Sequence, residues 1–589
     1  MTKTCIELPA SPPLSPAARL LWLALIVATL YLCYFHNLGA LGLVGPDEPR
    51  YAWIARDMQE TGDYVTPRLY GKPWFEKPPL YYWSAALSFK LFGVSETTAR
   101  LPSAIAALLA TLALAWLTLR LYGAETARWL LLLLPTTVGM IGFSHAAATD
   151  MPFAATLTIA MVCATKLLNL VPSAAAPAPD STTSVGRFRS FSSFTSSTSF
   201  TSFLFGLFLG LATLAKGPAA IILSGGAVLL WALFTKRWHD AFRCLHPVAI
   251  ASFCLTSLPW YILCARRNPD FFRIFILEHN FSRFLTPQFQ HIQPFWYYIP
   301  IVLIAFLPWA PLLVISAAFG GLKVSQERTL SPANRFSLCW ALFCLLFFSL
   351  SQSKLPGYIL PAIPAIASLL ARSLVSLMPL FAKYFRMLLV LFGSVFATSG
   401  VLLFLFLGQL HRSSPTAKVS RAAALILLMF ALGNWLLALR KTKFDRRIPA
   451  AACSVLPILL LTVSVPGLLP AIFPYDPSGK TLAAETMSTH LSSDPYVGPI
   501  SRGEYFGLNF YLHRELKEWD KTNSKVGYLL LRSRGCRSEL EPGWKCTDEP
   551  VVLPKSGWFI FRVQPDPSLD GLGGSNGSKL GDRQPRQEK

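Results

Sequence analysis

Apolar residues in this chain fall in long unbroken runs, not in the two-residue alternation of a half-buried strand. A helix that crosses a bilayer needs about 20 mainly apolar residues, a criterion that predicts about thirteen spanning helices here. They centre on residues 20–37, 98–119, 127–143, 147–169, 200–215, 218–234, 246–264, 295–318, 336–350, 357–378, 386–408, 420–439 and 450–472. The first follows no cleavage motif and is expected to be a retained anchor. Three stretches break the pattern. Residues 37–97 are rich in Trp, Tyr, Pro and paired charges and are predicted to form a long first outer loop. Residues 172–202 run from Ala/Pro to Ser/Thr/Phe low complexity, which reads as a cytoplasmic linker. Residues 473–568 are polar with short apolar runs, Gly527–Arg532 (GYLLLR) and Gly557–Val563 (GWFIFRV), and are predicted to form a small α/β domain. The Gly-rich polar tail 569–589 is expected to be disordered.

Composition agrees with a membrane protein. Of 589 residues, 53% are hydrophobic and only 14% charged, against roughly 45–50% and 25% in soluble domains, and the mean hydropathy is +0.44. The net charge of +22 would suggest nucleic-acid binding in a soluble chain. Here the bases sit in short connections such as Arg120/Arg128, Lys236/Arg237/Arg243 and Arg440–Arg447, which is how cytoplasmic loops orient a membrane protein, so no nucleic-acid partner is expected. An odd number of spans then places the C-terminal domain outside. Most cysteines, among them Cys163, Cys254, Cys339 and Cys344, lie singly in apolar runs and read as small buried hydrophobes. Cys536 and Cys546 are the pair able to form a disulfide, provided their domain lies outside the cytoplasm.

Charged residues beside apolar helices are costly, so their placement is informative. The predicted topology puts Asp47-Glu48, Glu76-Lys77, Asp150, Lys216, Glu278-His279 with Arg283, and Lys354 all on the outer side. Asp47-Glu48 follows Gly45-Pro46 at the start of an amphipathic segment, where a carboxylate serves as a general base or merely as a helix cap. Glu76-Lys77 lies among prolines and aromatics, suited to a lipid phosphate and a shared cation, or to an interfacial aromatic belt. Asp150 opens an apolar helix as a functional acid or an N-cap, and Lys216 and Lys354 occupy outer turns as a phosphate-binding rim or as snorkelling lysines. His279 and Arg283 combine a candidate metal ligand with a phosphate fork, although a lone His is more often a structural hydrogen-bonder. The chain has no Walker loop, dinucleotide fingerprint, HExxH or G-x-S-x-G elbow.

The segments GPDEPRYAWIARDM (Gly45–Met58), GKPWFEKPPLYYW (Gly71–Trp83), Thr149-Asp150-Met151-Pro152, Ala215-Lys216-Gly217-Pro218, Glu278-His279-Asn280 and SKLPGYILPAIPA (Ser353–Ala365) resemble a known family. It is that of the membrane-embedded glycosyltransferases of the protein O-mannosyltransferase and 4-amino-4-deoxy-L-arabinose lipid A transferase type. The resemblance spans roughly the first 380 residues in order and membrane side. It implies an all-α polytopic GT-C fold over residues 1–472, with interfacial helices in the first outer loop and a small extracytoplasmic domain at the end. It also implies a polyprenyl-phosphate-linked sugar as donor, a lipid A, glycan or protein acceptor, and a site on the outer face of the cell inner membrane, in contact with membrane lipids. Carried over by position, Asp47, Glu48 and Asp150 are the catalytic acids. Lys77, Arg283, Lys216 and Lys354 meet the donor phosphate, and Glu76 and His279 hold a divalent metal cation. A lipid-linked donor also accounts for the missing nucleotide motifs. The competing expectation, a transporter or flippase of lipid-linked saccharides, would place polar residues at mid-membrane in repeated halves, and the spans here are apolar and unrepeated.

Overall fold

A computed structural model describes residues 15–171, 198–282, 292–327, 330–380, 382–408, 415–439, 447–472, 476–520, 526–540, 544–546 and 549–566. It divides into two compact units: Met1–Leu43 with Asp47–Pro474, and Val44–Pro46 with Tyr475–Lys589.

The larger unit is helical. Helix α1 (Pro16–Tyr34) starts with Ser15 accepting from the Ala18 amide and Pro16 in its first turn, where a missing N–H costs nothing. The first loop then folds into α2 (Asp47–Thr61) and α3 (Leu80–Phe92). Tyr51, Ala52, Ile54, Ala55 and Met58 of α2 are buried, as are Tyr81, Tyr82, Ala85, Ala86 and Phe89 of α3. Between them β1 (Arg68–Leu69) and β2 (Lys72–Pro73) make a tight antiparallel hairpin. Its turn, Tyr70-Gly71, has φ of +52° and +75°, the left-handed pair that a type I′ turn demands.

Helix α4 (Glu96–Tyr122) begins with a capping box of Ser95 and Thr98. Helices α5 (Ala124–Leu133) and α6 (Val138–Ser144) are bent by 62° at the break between them. Next come α7 (Asp150–Leu167) and α8 (Thr198–Lys216), then α9 (Ala219–Thr235), the short α10 (Trp238–Phe242) and α11 (Pro247–Arg267). Helix α8 starts at Thr198, inside the segment whose composition predicts a linker, and its Thr201 and Ser202 are buried. The rest of that segment, 172–197, lies outside the described residues, as does the tail 569–589. Later helices occupy Tyr298–Ala305, Ala310–Glu327, Pro332–Leu350, Ile363–Leu380, Ala382–Gly408, Pro415–Leu439 and Arg447–Ile472.

Among the described residues, six helices are long and apolar enough to cross a membrane alone, and the bent α5–α6 pair makes up to seven. Shorter apolar helices occupy Ala219–Thr235, Phe295–Ala305, Gly393–Leu402, Ala424–Leu436 and Ala451–Ser464. The core of the unit is built on large aromatics, Trp129, Trp231, Trp309 and Trp340 among them.

The smaller unit carries a mixed sheet of order β3 (Tyr496–Val497), β4 (Gly527–Leu531), β7 (Trp558–Pro565) and β5 (Trp544–Cys546), with β6 (Val551–Leu553) also paired to β7. The β3–β4 pair is parallel and the others antiparallel. Helices Lys480–Ser488 and Arg502–Leu512 pack with it, and Cys536 is disulfide-bonded to Cys546.

Helix α8 carries Lys216 on its last turn, and its seat against α11 depends on two glycines. A Cβ at Gly206 would stand 2.0 Å from the Ala249 carbonyl oxygen, and one at Gly210 would stand 2.8 Å from the Thr256 Cβ. Gly210→Leu is expected to destabilise the protein by about 1–3 kcal/mol through overpacking, read as a lowered thermal unfolding temperature of the purified protein in detergent. An unchanged temperature would show that the two helices separate without cost.

Candidate active site

Helix α2 opens with two adjacent carboxylates that point in different directions. Successive side chains on a helix are about 100° apart, so one is turned inward while the next faces out. Glu48 is the inward one, 6% exposed. Its Oε1 accepts from Arg100 Nε at 3.0 Å and its Oε2 from the Arg100 terminal nitrogen at 2.7 Å, the bidentate geometry that a guanidinium and a carboxylate form best. Oε1 also accepts from the Ala147 amide at 2.7 Å. Arg100, 4% exposed on α4, donates further to the carbonyls of Leu38, Leu41 and Gly42, each at 2.7 Å. This clamp joins the first loop, α4 and the turn before α7. Glu48, expected beside Asp47 as a second catalytic acid, is thus buried with its oxygens held by Arg100 and the Ala147 amide.

Asp47 faces out, its side chain 53% exposed, and accepts from Arg50 one turn later. The Arg50 guanidinium, almost fully buried, also reaches Glu76 at 3.3 Å and lies over the Trp74 and Tyr51 rings at 5.2 and 5.6 Å. Lys77 stands 3.4 Å from Glu76. Asp47, Arg50, Glu76 and Lys77 thus form one chain of alternating charge. Burial would pull the Arg50 guanidinium down, but Glu76, Tyr51 and Asp47 outweigh it and hold the group above its ordinary value. Burial, then Glu76 and Asp47 against the pull of Arg50, pushes the Tyr82 phenol well up. It remains a proton donor at neutral pH, and its hydroxyl has no hydrogen-bond partner among the described residues.

A second cluster forms where α7 begins and α8 ends. Asp150, in the first turn of α7, accepts from Lys216 in an ion pair. The Lys216 ammonium lies 4.9 Å from the Tyr358 ring centre and 5.6 Å from that of Phe153. The segment carrying Tyr358 closes over the pair so tightly that a Cβ on Gly357 would come within 3.0 Å of Asp150 Oδ1. Lys354 is 7% exposed and donates to the carbonyls of Ser351 at 2.6 Å and Gln293 at 3.0 Å. Burial lowers its ammonium below the ordinary lysine value. Beside these clusters, the buried hydroxyls of Thr149 and Ser353 have no hydrogen-bond partner among the described residues. The Ala147 amide on Glu48 and Asp150 lie on the same turn, so the clamp holds the two charged clusters together.

The expected metal pair fares differently. His279 lies in a π-helical stretch, Arg273–Ser282, where Glu278 pairs with Arg273 at 2.7 Å on the exposed side. Phe75 packs edge-on to Phe271, just before that stretch, at 5.3 Å. Glu76, however, already has two cations, Arg50 and Lys77, on its carboxylate. Among the described residues, no group of three His, Cys, Asp or Glu side chains is arranged to hold a metal ion. Arg283 lies outside the described residues. Arg100 and Arg50 are the functional residues that sequence reasoning passed over. The signal for Arg100 was present, as a charge within the apolar run 98–119.

The geometry can be set beside known proteins. Residues 20–275 match the family model of dolichyl-phosphate-mannose-protein mannosyltransferases. An undecaprenyl phosphate-α-4-amino-4-deoxy-L-arabinose arabinosyl transferase from Enterobacter sp. is 30% identical over 82% of this chain and 82% of its own length. One of the same name from Edwardsiella ictaluri is 34% identical, over 59% of this chain and 58% of its own length. Among solved structures, ArnT from Cupriavidus metallidurans bound to undecaprenyl phosphate superposes with a TM-score of 0.70 at 24% identity, covering 92% of this chain and 97% of that one.

Arg100→Met would leave the buried Glu48 carboxylate without its charge partner, at an expected cost of about 3–5 kcal/mol. The thermal unfolding temperature in detergent should therefore fall steeply in Arg100→Met and stay near wild type in Asp47→Asn, whose side chain is half in solvent. Equal behaviour of the two variants would remove the clamp from its structural role.

Proposed function

The chain belongs to the family of the undecaprenyl phosphate-4-amino-4-deoxy-L-arabinose arabinosyl transferases, membrane glycosyltransferases of the protein mannosyltransferase type, and we propose that it transfers an aminopentose from a polyprenyl phosphate to a lipid acceptor, a lipid A phosphate or hydroxyl. The observation that supports this reading is the charge chain Asp47–Arg50–Glu76–Lys77 together with the Asp150–Lys216 pair, linked through the Ala147 amide on Glu48. Cations for a phosphate and an accessible carboxylate are what such a reaction requires. The site faces the periplasm, in a thirteen-span GT-C arrangement, and the terminal domain is extracytoplasmic. The Cys536–Cys546 disulfide suits that compartment.

In the reaction, a bond forms between the acceptor oxygen and the anomeric carbon as the bond from that carbon to the donor phosphate oxygen breaks, with inversion. The polyprenyl phosphate departs with the electron pair. Lys77 and Lys216 stabilise the charge gathering on that phosphate, and the Tyr82 hydroxyl donates to it. The sugar acquires oxocarbenium character, which nearby carboxylates favour. A hydroxyl acceptor gives its proton to Asp47. An acceptor that is already an anionic phosphate needs no base, and Asp47 then orients it. Asp150 fixes the Lys216 ammonium, and Lys354, held by its two carbonyls, positions the segment that closes over the pair.

The test is transfer of label from polyprenyl-phosphate aminopentose to membrane lipid by purified protein in liposomes. Asp47→Asn should lower the rate by about 10²–10⁴-fold, the usual worth of a positioned acid or base, with the unfolding temperature retained. Near-normal transfer by that variant would defeat the assignment of Asp47. In a double-mutant cycle, Asp150→Asn and Lys216→Met should cost less together than the sum of their separate effects, a coupling of about 0.5–3 kcal/mol expected of residues in contact. Strict additivity would mean that the two act independently.

A further inference from the structure

One apolar cavity of the helical unit lies away from the charged clusters. Helix α8 ends at Lys216 beside Asp150, so α9, which runs back from there, delivers its end at Thr235 to the opposite membrane face. There the connector to α11, formed by α10 and the turn Arg243–Leu245, bounds a groove of about 450 Å³. Its walls are almost wholly apolar: Phe205 of α8, Gly225 and Leu229 of α9, Phe242 and Leu245 of the connector, and Phe253 of α11. The groove exists partly because residue 225 is a glycine. A Cβ there would meet nothing within 4 Å, whereas at Gly206, on the α8 wall, it would strike the backbone of α11 at 2.0 Å.

The rim of this groove is basic. Lys236 closes α9 in a left-handed conformation and is exposed, and among the described residues it has no ion pair. Arg237 and Arg243 flank it on the connector. The one acid there, Asp240, is held by Asn169 at 2.9 Å, by Arg237 at 2.7 Å and by Arg243 at 3.9 Å. It pins the two guanidinium groups at the mouth of the groove without cancelling the excess of bases. Trp238, Phe242 and Leu245, exposed by 41%, 64% and 61%, face outward from the same short segment, as interfacial aromatics do.

We propose that this groove is a binding site for an anionic glycerophospholipid of the leaflet opposite the active site, with an acyl chain lying on Gly225 between α8, α9 and α11 and the headgroup phosphate on Lys236, Arg237 and Arg243. The two halves of the site match the two halves of such a lipid. A cavity of this volume takes a chain that a flat helix surface would not hold, and bases near an anionic headgroup each add to affinity. A neutral, zwitterionic lipid would fill the groove but leave the excess charge at its rim unbalanced. The proposal does not depend on the reaction assigned above.

The full-length protein, delipidated in detergent, can be titrated with phosphatidylglycerol and with phosphatidylcholine of identical acyl chains, and the bound lipids counted by native mass spectrometry. Wild type is expected to retain one phosphatidylglycerol at least about fivefold more tightly than phosphatidylcholine, the preference that one well-placed base provides. Gly225→Phe, which fills the groove from open space, should lose that lipid whichever headgroup it bears. The double variant Lys236→Gln/Arg243→Gln should keep a lipid but lose the preference. Phosphatidylglycerol with a photoactivatable group at the acyl terminus should label peptides within residues 205–253, a readout that stands even where Gly225→Phe fails to fold. Undiminished binding by folded Gly225→Phe, equal affinity of wild type for the two lipids, or labelling elsewhere would overturn the proposal. So would displacement of the labelled lipid by polyprenyl phosphate, which would assign the groove to a prenyl tail.

Discussion

A buried guanidinium holds the helical unit's working end together. Arg100 spends its donors on Glu48 and on three carbonyls of the first loop, while Glu48 takes in the amide that precedes α7. In a low-dielectric setting an ion pair is tolerable only when the remaining donors and acceptors of both partners are satisfied. That condition is met here by backbone groups from segments far apart in sequence. The pair therefore acts as a geometric specification: the start of α2, the start of α4 and the start of α7 have to meet for its hydrogen bonds to be complete. Asp47 and Asp150 sit at two of those helix starts, so their placement follows from a residue that touches neither.

The remaining charges obey the same logic with looser burial. Glu76 sits between Arg50 and Lys77, and Asp150 is joined to Lys216 beneath Tyr358. Each carboxylate has a cation, but the acids differ in access, from half-exposed Asp47 to enclosed Glu48. For a donor bearing a phosphate, the cations are the attractive element and the acids limit how strongly they attract. A ligand phosphate that takes a share of Lys77 or Lys216 leaves Glu76 or Asp150 less neutralised, and negative charge next to the sugar is what an oxocarbenium-like transition state favours. The ion pairs of the resting protein are thus a reservoir of charge that binding rearranges.

Much of the fold is legible in the apolar runs, because about 20 consecutive apolar residues have few other ways to satisfy their backbone in a membrane. The predicted spans fall largely on helix, though the run 295–318 is split between Tyr298–Ala305 and Ala310–Glu327. The bend between α5 and α6 is not legible, since the run 127–143 reads as one continuous helix. Nor is the start of α8, where Ser and Thr look like linker but Thr201 and Ser202 are buried. At the site, sequence brings out Asp47, Glu76, Lys77, Asp150, Lys216 and Lys354 as charges sharing a membrane side. It cannot distinguish Asp47 from Glu48. Adjacent acids on one helix are chemically alike, and which one is buried depends on Arg100, which lies half a hundred residues away and becomes a neighbour only in the folded chain. Nor does sequence show that the Glu76 carboxylate has Arg50 as a partner, since the two lie on different segments and meet only in the folded chain.

The two membrane faces of the helical unit illustrate opposite uses of basic residues. On the face of the charged clusters, Arg50, Lys77 and Lys216 each have a carboxylate partner, stack on aromatics or lie mostly buried. On the other face, Lys236, Arg237 and Arg243 rim an apolar groove with one acid among them. Bases matched by acids and enclosed by rings discriminate among ligands by geometry, since a ligand has to displace an existing partner. Bases in excess at a rim discriminate by net charge and accept any anion that also fills the groove. The α8–α9 hairpin connects these two environments, with Lys216 at its turn and Lys236 at its far end. Its intervening residues are apolar and carry small residues where helices meet, including Gly206 and Gly210 against α11 and Gly226 against Phe343. A rigid, closely packed hairpin transmits a displacement at one end to the other with little loss. The charge pattern of this chain thus places a partnered ammonium at one end of this pair of helices and an excess of bases at the other.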